Sequence, residues 1–272
     1  MSGKDDIGDR MKTYEVIETE RRFDPSLPVY ARLDGRSFSN FTRLMERPFD
    51  MAMHEAMMST AKALIEKTHA RIGYTQSDEI SLVWQAENEA SQIFFDGKIM
   101  KMASVLASLA SVHFFKSIYD SERLSDHADL MPHFDCRVIQ LPSRTEAANM
   151  FLWRELDATK NAVSMAARAY FSAKVLSFKN STEMRAMLAE NGIDFDAYPA
   201  SFRHGTFLRR IAIEREMTTE ELSRIPEVHR PKSGQLVARS AVVKIKMPPF
   251  RFVTNREQVI FDGAEPSGTD TL

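Results

Sequence analysis

Between Val29 and Leu141 the chain alternates short strand-like runs with long amphipathic ones, which restricts it to folds that pack helices on a sheet. Val29 to Leu33 reads as a strand closing on Asp34-Gly35, a turn signal. A period of two sets Val29, Ala31 and Leu33 on one face, and Tyr30, Arg32 and Asp34 on the other. Asp50 is expected to cap a helix reaching about His69, with Met53, Met57, Leu64 and Ile65 as its buried stripe. Arg71–Thr75 and Ile80–Trp84 predict a hairpin turning near Gln76-Ser77. A helix is expected from about Lys98 to Tyr119, then a strand from Phe134 to Leu141 closed by Pro142. The class is α/β (α+β), with one sheet expected to carry helices on one face.

Beyond Pro142, Ser143 or Thr145 starts a predicted helix that reaches about Lys174. Arg154, Asn161 and Arg168 recur on it at seven-residue steps, with Asp157 one turn from Arg154. Asn180 or Ser181 caps a short helix stopping at Asn191-Gly192, and Thr218 caps another ended by Pro226. Ala241–Lys246 is the last expected strand. From Pro248 onward structure is expected to thin out, ending in a mobile tail.

The 272 residues provide for one large domain or two modest ones, and 43 % hydrophobic with 27 % charged residues is ordinary for a soluble globular protein. A lone Cys136 excludes an internal disulfide framework and a thiolate zinc cluster, and it fits a reducing compartment. The opening MSGKDDIGDRMK is too polar for a secretory signal, and Lys98, Lys101 and Lys116 argue against a membrane span in the small-residue helix. A cytoplasmic location and no membrane partner are therefore expected. A net charge of −2 lacks the basic footprint of a nucleic-acid binder. Local patches matter more, and two exist: Arg144, Arg154, Lys160, Arg168, Lys174 and Lys179, then Arg203, His204, Arg209 and Arg210. A solvated helix face explains either as well as RNA does.

The chemistry-bearing pieces are Leu33-Asp34-Gly35-Arg36 at a strand end and Ser77-Asp78-Glu79 at a hairpin turn. Carboxylates on neighbouring strand ends can hold two Mg²⁺ ions, which take few protein oxygens and complete their shells with phosphate and water. Such a pair activates a hydroxyl and neutralises a departing pyrophosphate. Gly35 lets the backbone approach closely, so its carbonyl is a candidate further ligand. Either tripeptide alone is more often a simple turn or cap. In this order and on these elements, they match a palm-type polymerase or cyclase.

The runs Ala31-Arg32-Leu33-Asp34-Gly35-Arg36-Ser37-Phe38 and Gln76-Ser77-Asp78-Glu79-Ile80-Ser81 closely resemble the tRNA(His) guanylyltransferase superfamily. Phe134-Asp135-Cys136-Arg137, Trp153-Arg154 with Asp157, and Phe202-Arg203-His204-Gly205-Thr206 extend the resemblance, in order, over roughly residues 8 to 265. It implies a palm-like catalytic region over 1–142, an RNA-handling region over 143–265 that completes the fold, and a tail over 266–272. The family adds nucleotides to RNA in the 3′-to-5′ direction. A 5′-monophosphate end is activated by ATP or GTP with release of pyrophosphate, and the 3′-hydroxyl of an incoming NTP then attacks it.

Carried over by position, the resemblance makes Asp34, the Gly35 carbonyl and Asp78 the ligands of two Mg²⁺ ions. Glu79 stands beside them as a third catalytic acid. Arg32, Gly35, Arg36, Ser37, Phe38, Arg47, Ser77, Lys98 and Lys101 fall in the nucleotide-binding set, with Lys98 and Lys101 the implied triphosphate contacts. Asp50 lies near Arg47 where the family has a functional acid. Arg154, Asp157, Asn161 and Arg203 are the implied RNA contacts, although Arg154 and Asp157 read equally well as an intrahelical ion pair. Family members assemble as tetramers, so a homotetramer is expected.

Two departures narrow the reading. The eukaryotic branch carries His-Ile-Asn-Asn where this chain has Thr159-Lys160-Asn161-Ala162, and that histidine helps select tRNA(His). Cys136, where glycine is common, is the smaller one. The chain is thus more similar to the guanylyltransferase-like branch, which repairs truncated tRNA 5′ ends against a template base. A dedicated tRNA(His) guanylyltransferase adding G(−1) is the alternative. A palm-type nucleotide cyclase or dinucleotide synthase has no use for the region after residue 142, and a non-enzymatic tRNA scaffold has no use for both acids.

Overall fold

The computed structural model describes residues 6–88 and 90–268, and the last four residues of the expected tail lie outside them. In chain order the elements are α1 (Asp6–Thr19), β1 (Val29–Gly35), α2 (Phe38–Phe41), α3 (Met51–Thr68), β2 (Ile72–Gln76), β3 (Glu79–Trp84), α4 (Ile99–Tyr119) and β4 (Phe134–Gln140). Then come α5 (Arg144–Tyr170), α6 (Ala173–Leu176), α7 (Ser181–Glu190), α8 (Ala200–His204), β5 (Thr206–Arg215), α9 (Thr219–Ser223), β6 (Val237–Lys244) and α10 (Arg256–Phe261). Helix starts fall where side chains can satisfy the first free N–H groups. Asp50 accepts from Met53 N, Ser143 from Glu146 N, and Asn180 and Thr218 complete capping boxes with Glu183 and Glu221.

The strands form one six-stranded antiparallel sheet in the order β4-β1-β3-β2-β5-β6. It runs across residue 142, because β5 and β6 extend the sheet that carries the acids. Side-chain alternation divides the interior into two layers. Val29, Ala31, Leu33, Ile80, Leu82 and Trp84 face α3 and α4, packing with Met57, Leu64, Ile65, Leu106 and Phe114. Each such side chain, fully buried, contributes roughly 1.5–3 kcal/mol. Tyr30, Ile72, Tyr74, Val83 and Phe207 face the opposite way, against Ala147, Ala148 and Phe151 of α5 and Val259 and Ile260 of α10. Helices therefore cover both faces, which corrects the one-faced expectation. The strands carry apolar side chains on both sides, and α5 supplies the second cover.

A third cluster lies past the end of the sheet, where Ala162, Val163, Ala166 and Ala167 of α5 meet Leu188, Phe195 and Phe202. By length and composition α4 is apolar enough to cross a bilayer, yet Met102, Leu106, Ala110, Phe114 and Ile118 on it are buried in the first core.

Three regions depart from the expected elements. The polar start forms α1, which is largely exposed. The second basic cluster is not one surface: Arg209 and Arg210 are neighbours on β5, so Arg209 points inward and is 9 % exposed while Arg210 is exposed. The chain after Pro248 does not thin out either. Phe250, Val253, Val259, Ile260 and Phe261 fill the second core, and Thr254 and Asn255 hold Ser267 through backbone and side-chain hydrogen bonds.

Candidate active site

β1 carries Asp34 at its C-terminal end, and the β2–β3 turn carries Ser77 and Asp78. Antiparallel register sets Glu79 directly opposite Asp34 on one side, and Asp135 of β4 opposite it on the other. The turn is tied to β1 by the Gly35 N–H, which donates to the Asp78 carbonyl at 3.0 Å. Ser77 sits at φ +48°, in the left-handed region, a conformation that costs a non-glycine residue about 1–2 kcal/mol. Such strain gathers where a turn has a function to hold. Burial pushes the Asp78 carboxyl up to about 6, and the nearby Asp34 and Glu79 act in the same direction. Negative charge is thus crowded at one end of the sheet.

Behind the acids stands a buried cation. Arg154 of α5 donates from Nε to both Glu79 oxygens at 2.8 and 3.1 Å, and from Nη2 to Oε2 at 2.7 Å. The same Nη2 reaches Asp157 at 3.1 Å. Burial pushes the Glu79 carboxyl up, while Arg154 holds it down. Trp153, half exposed, lies under two guanidinium groups: Arg154 at 4.6 Å and Arg32 at 5.7 Å from the ring centroid. Arg32 therefore flanks the acids on their own face of the sheet.

Several expected site residues are brought together here. Arg47 and Ser77 line a small cavity of about 80 Å³ with His54 and Asp50. Burial and the Lys244 charge push the His54 imidazole down to about 4, so it is neutral at physiological pH. Arg36 and Ser37 are exposed beside Asp34, and the Arg36 N–H is fixed to the His133 carbonyl. Gly35 is required for a reason beyond metal approach: a Cβ there would fall 2.4 Å from the Phe38 ring.

Others are corrected by the tertiary structure. Phe38, expected at the nucleotide, is 3 % exposed and packs on Phe41, Phe114 and Phe134. Lys98 and Lys101 lie at the opposite end of the sheet from the acids. α4 starts beside Phe94, which stacks on Trp84 at the far end of β3, and only its C-terminal part meets Phe38. Lys98 is paired with Glu20, and Lys101 stands over the Phe95 ring. Arg154, expected to touch RNA, is 6 % exposed and bonded through Nε and Nη2 to Glu79 and Asp157, which favours a positioning role. Asn161 is exposed past the site, and Arg203 is held by the Tyr198 carbonyl and Asp196.

Two arrangements had no signal in the sequence. Thr159 donates to the Glu155 carbonyl and lies 3.2 Å from His204 Nδ1, so its hydroxyl is occupied. Glu155, buried next to Arg154, accepts from the Phe250 N–H at 2.8 Å. Asp135 stood in a quoted motif, but only register sets it beside Asp34. Among the described residues no group of three or more His, Cys, Asp or Glu is placed to hold a metal ion.

A sequence profile describing tRNA(His) guanylyltransferases matches residues 8–142. The chain is 30 % identical to an uncharacterised protein of Acanthamoeba polyphaga mimivirus, over 76 % of its own length and 78 % of the relative's. It is 24 % identical to the tRNA(His) guanylyltransferase of Schizosaccharomyces pombe, over 75 % of this chain and 82 % of that one. A bacterial tRNA(His) guanylyltransferase-like protein solved in complex with ATP superposes with a TM-score of 0.76 at 29 % identity, covering 94 % of this chain and 99 % of that one. A bacterial guanylyltransferase-like protein in complex with GTP gives 0.68 at 28 % identity, over 91 % and 94 %. In sequence and fold, this chain belongs to the tRNA(His) guanylyltransferase family of nucleotidyltransferases.

Proposed function

We propose that this chain is a template-dependent 3′–5′ nucleotidyltransferase that restores missing nucleotides at tRNA 5′ ends. The observation that carries the reading is the convergence of Asp34, Asp78 and Glu79 on one sheet end, with Arg32 at its edge. ATP or GTP is the proposed activator, since the similar bacterial proteins are described with those nucleotides bound.

Asp34, Asp78 and the Gly35 carbonyl are the proposed holders of two Mg²⁺ ions. The donors fit: they are all oxygens, few in number, and a divalent cation would offset the burial, and after it the neighbouring charges, that keep Asp78 hard to ionise. When bound, Mg²⁺ supplies charge for the phosphates and acidity for a hydroxyl. The protein's own part is positioning. Arg154 locks Glu79 and hence the start of β3, Ser77 shapes the turn, and Arg32 presents a cation to phosphate. Phosphoryl transfer depends chiefly on such placement and charge.

Thr159 supports the repair reading, because its hydroxyl is already spent inside the protein and offers no imidazole-like contact. Base pairing with the opposing strand would then select the incoming NTP. The names of the curated relatives favour the second reading, a dedicated tRNA(His) enzyme adding G(−1). A panel of 5′-truncated tRNA transcripts with each opposing base, given each NTP, separates the two. Additions that follow the template support repair; G alone on tRNA(His), whatever lies opposite, refutes it. A homotetramer is proposed alongside, supported by Ile7, Met11, Tyr14 and Ile17 exposed along α1, with light scattering as its test.

A further inference from the structure

At the end of the sheet away from the acids lies a cavity of about 660 Å³. Glu79 and Trp84 bound β3, and five residue steps along the strand separate them by about 17 Å. Trp84 lines the cavity while Glu79 stands at the acids. Three arginines from two strand regions also line it: Arg71, Arg209 and Arg210.

Arg209 is the most buried of the three. It donates to the Ala264 carbonyl at 2.7 Å and to Glu265 at 2.5 Å, and its side chain is nine-tenths buried. Its Nε is nevertheless enclosed with no hydrogen-bond partner. Buried donors are normally satisfied, but this one is shut off from the cavity as well as from solvent, so Arg209 contributes charge to the wall and no free donor. Arg210 points its Nη1 at His69 Nδ1, and among the described residues no carboxylate pairs with it. Arg71 is paired with Glu87, itself largely exposed. The other lining carboxylate, Asp262, is engaged by Arg144. The walls thus hold more cation than anion. Phe94 and Ile93 give an apolar side, and Gln92 adds an amide.

We propose that this cavity is a second anion site, taking the phosphate groups of a nucleoside triphosphate away from the reacting centre. Guanidinium groups are the side chains best matched to phosphate oxygens. Its volume lies in the range of small-molecule sites, and the apolar wall beside the arginines suits a base attached to a charged tail. A concave pocket of this size favours a free nucleotide over the phosphate backbone of an RNA duplex.

The test is equilibrium dialysis of radiolabelled ATP against the full chain, compared with Arg210→Gln and Arg71→Gln. Both side chains lie nearer the surface than Arg209, so these variants avoid disturbing the buried contacts. Wild type should bind one ATP per chain beyond those held at the acids, with pyrophosphate competing for it. Each variant should weaken that additional ATP at least tenfold and spare the ATP held at the acids. Trp84 supplies an independent readout: in a Trp153→Phe background its fluorescence should change on ATP addition, and that change should be lost with Arg210→Gln. Equal ATP stoichiometry and affinity in wild type and both variants overturns the proposal. So does occupation by a 5′-phosphorylated RNA duplex that ATP does not displace.

Discussion

Arg154 and Glu79, 75 residues apart in sequence, form a buried bidentate ion pair that joins α5 to the first residue of β3. Glu79 is paired in register with Asp34, so the geometry of the acid cluster depends on a helix from the other half of the chain. Breaking such a pair from one side leaves a charge buried without a partner, which costs about 3–5 kcal/mol. Arg154→Met is expected to lose stability in that range by urea denaturation. Adding Glu79→Gln should recover most of it without recovering nucleotide addition. If Arg154→Met unfolds like wild type, the pair has no structural role.

Asp34→Ala and Asp78→Ala are expected to abolish nucleotide addition while circular dichroism stays native. Removing either proposed metal ligand removes charge stabilisation worth several kcal/mol. Turnover above about a tenth of wild type corresponds to a loss of only about 1.4 kcal/mol and would rule out that role. Lys101→Ala, at the other end of the sheet within its own chain, should leave single-turnover addition by an isolated protomer unchanged.

Glu155 predicts a pH dependence of stability. Burial raises its carboxyl from 4.5 to about 7, against the Phe250 and Arg251 backbone N–H groups that pull it down. Between those values the folded protein keeps a proton that the unfolded chain has released. Stability is therefore full below about 4.5 and falls as pH rises through about 7. The loss is on the order of 3 kcal/mol. Glu155→Gln should flatten this decline, so that the gap in melting temperature moves in the variant's favour from pH 5 to pH 8. Parallel curves for the two proteins would exclude Glu155 as the titrating group.

Gly205 ends α8 at φ +74°, and a Cβ there would fall 2.6 Å from the Tyr74 ring and 2.7 Å from the Thr75 carbonyl. Tyr74 also donates to the His204 carbonyl, so this corner braces the strand that leads into Ser77. Gly205→Ala is expected to cost more than about 2 kcal/mol, combining backbone strain with overpacking. Its midpoint in urea measures this, and a shift of less than about 0.5 kcal/mol would be incompatible with the observed packing.

What the sequence determined by itself was local. Asp50, Ser143, Asn180 and Thr218 announced helix starts because a cap is made within three residues of its helix. Alternation from Val29 to Asp34 set two faces, and the acids fell at strand ends because Asp34-Gly35 and Ser77-Asp78 are turn chemistry. The tertiary structure decided everything that needed direction or distance. A turn-to-turn spacing showed Lys98 and Lys101 on one side of α4. It did not show that α4 starts beside Trp84 and ends beside Phe38, running towards the acids, while α3 runs away from them to place Thr68 at Trp84. Phe38 looked like part of a nucleotide motif, and only three-dimensional packing turned it into the core. β5 was hidden because Arg209 and Arg210 read as surface charge, and α10 because a six-residue helix is marginal until Phe250 and Phe261 are buried. Burial, not propensity, makes those elements, and burial exists only once residues far apart in sequence have met.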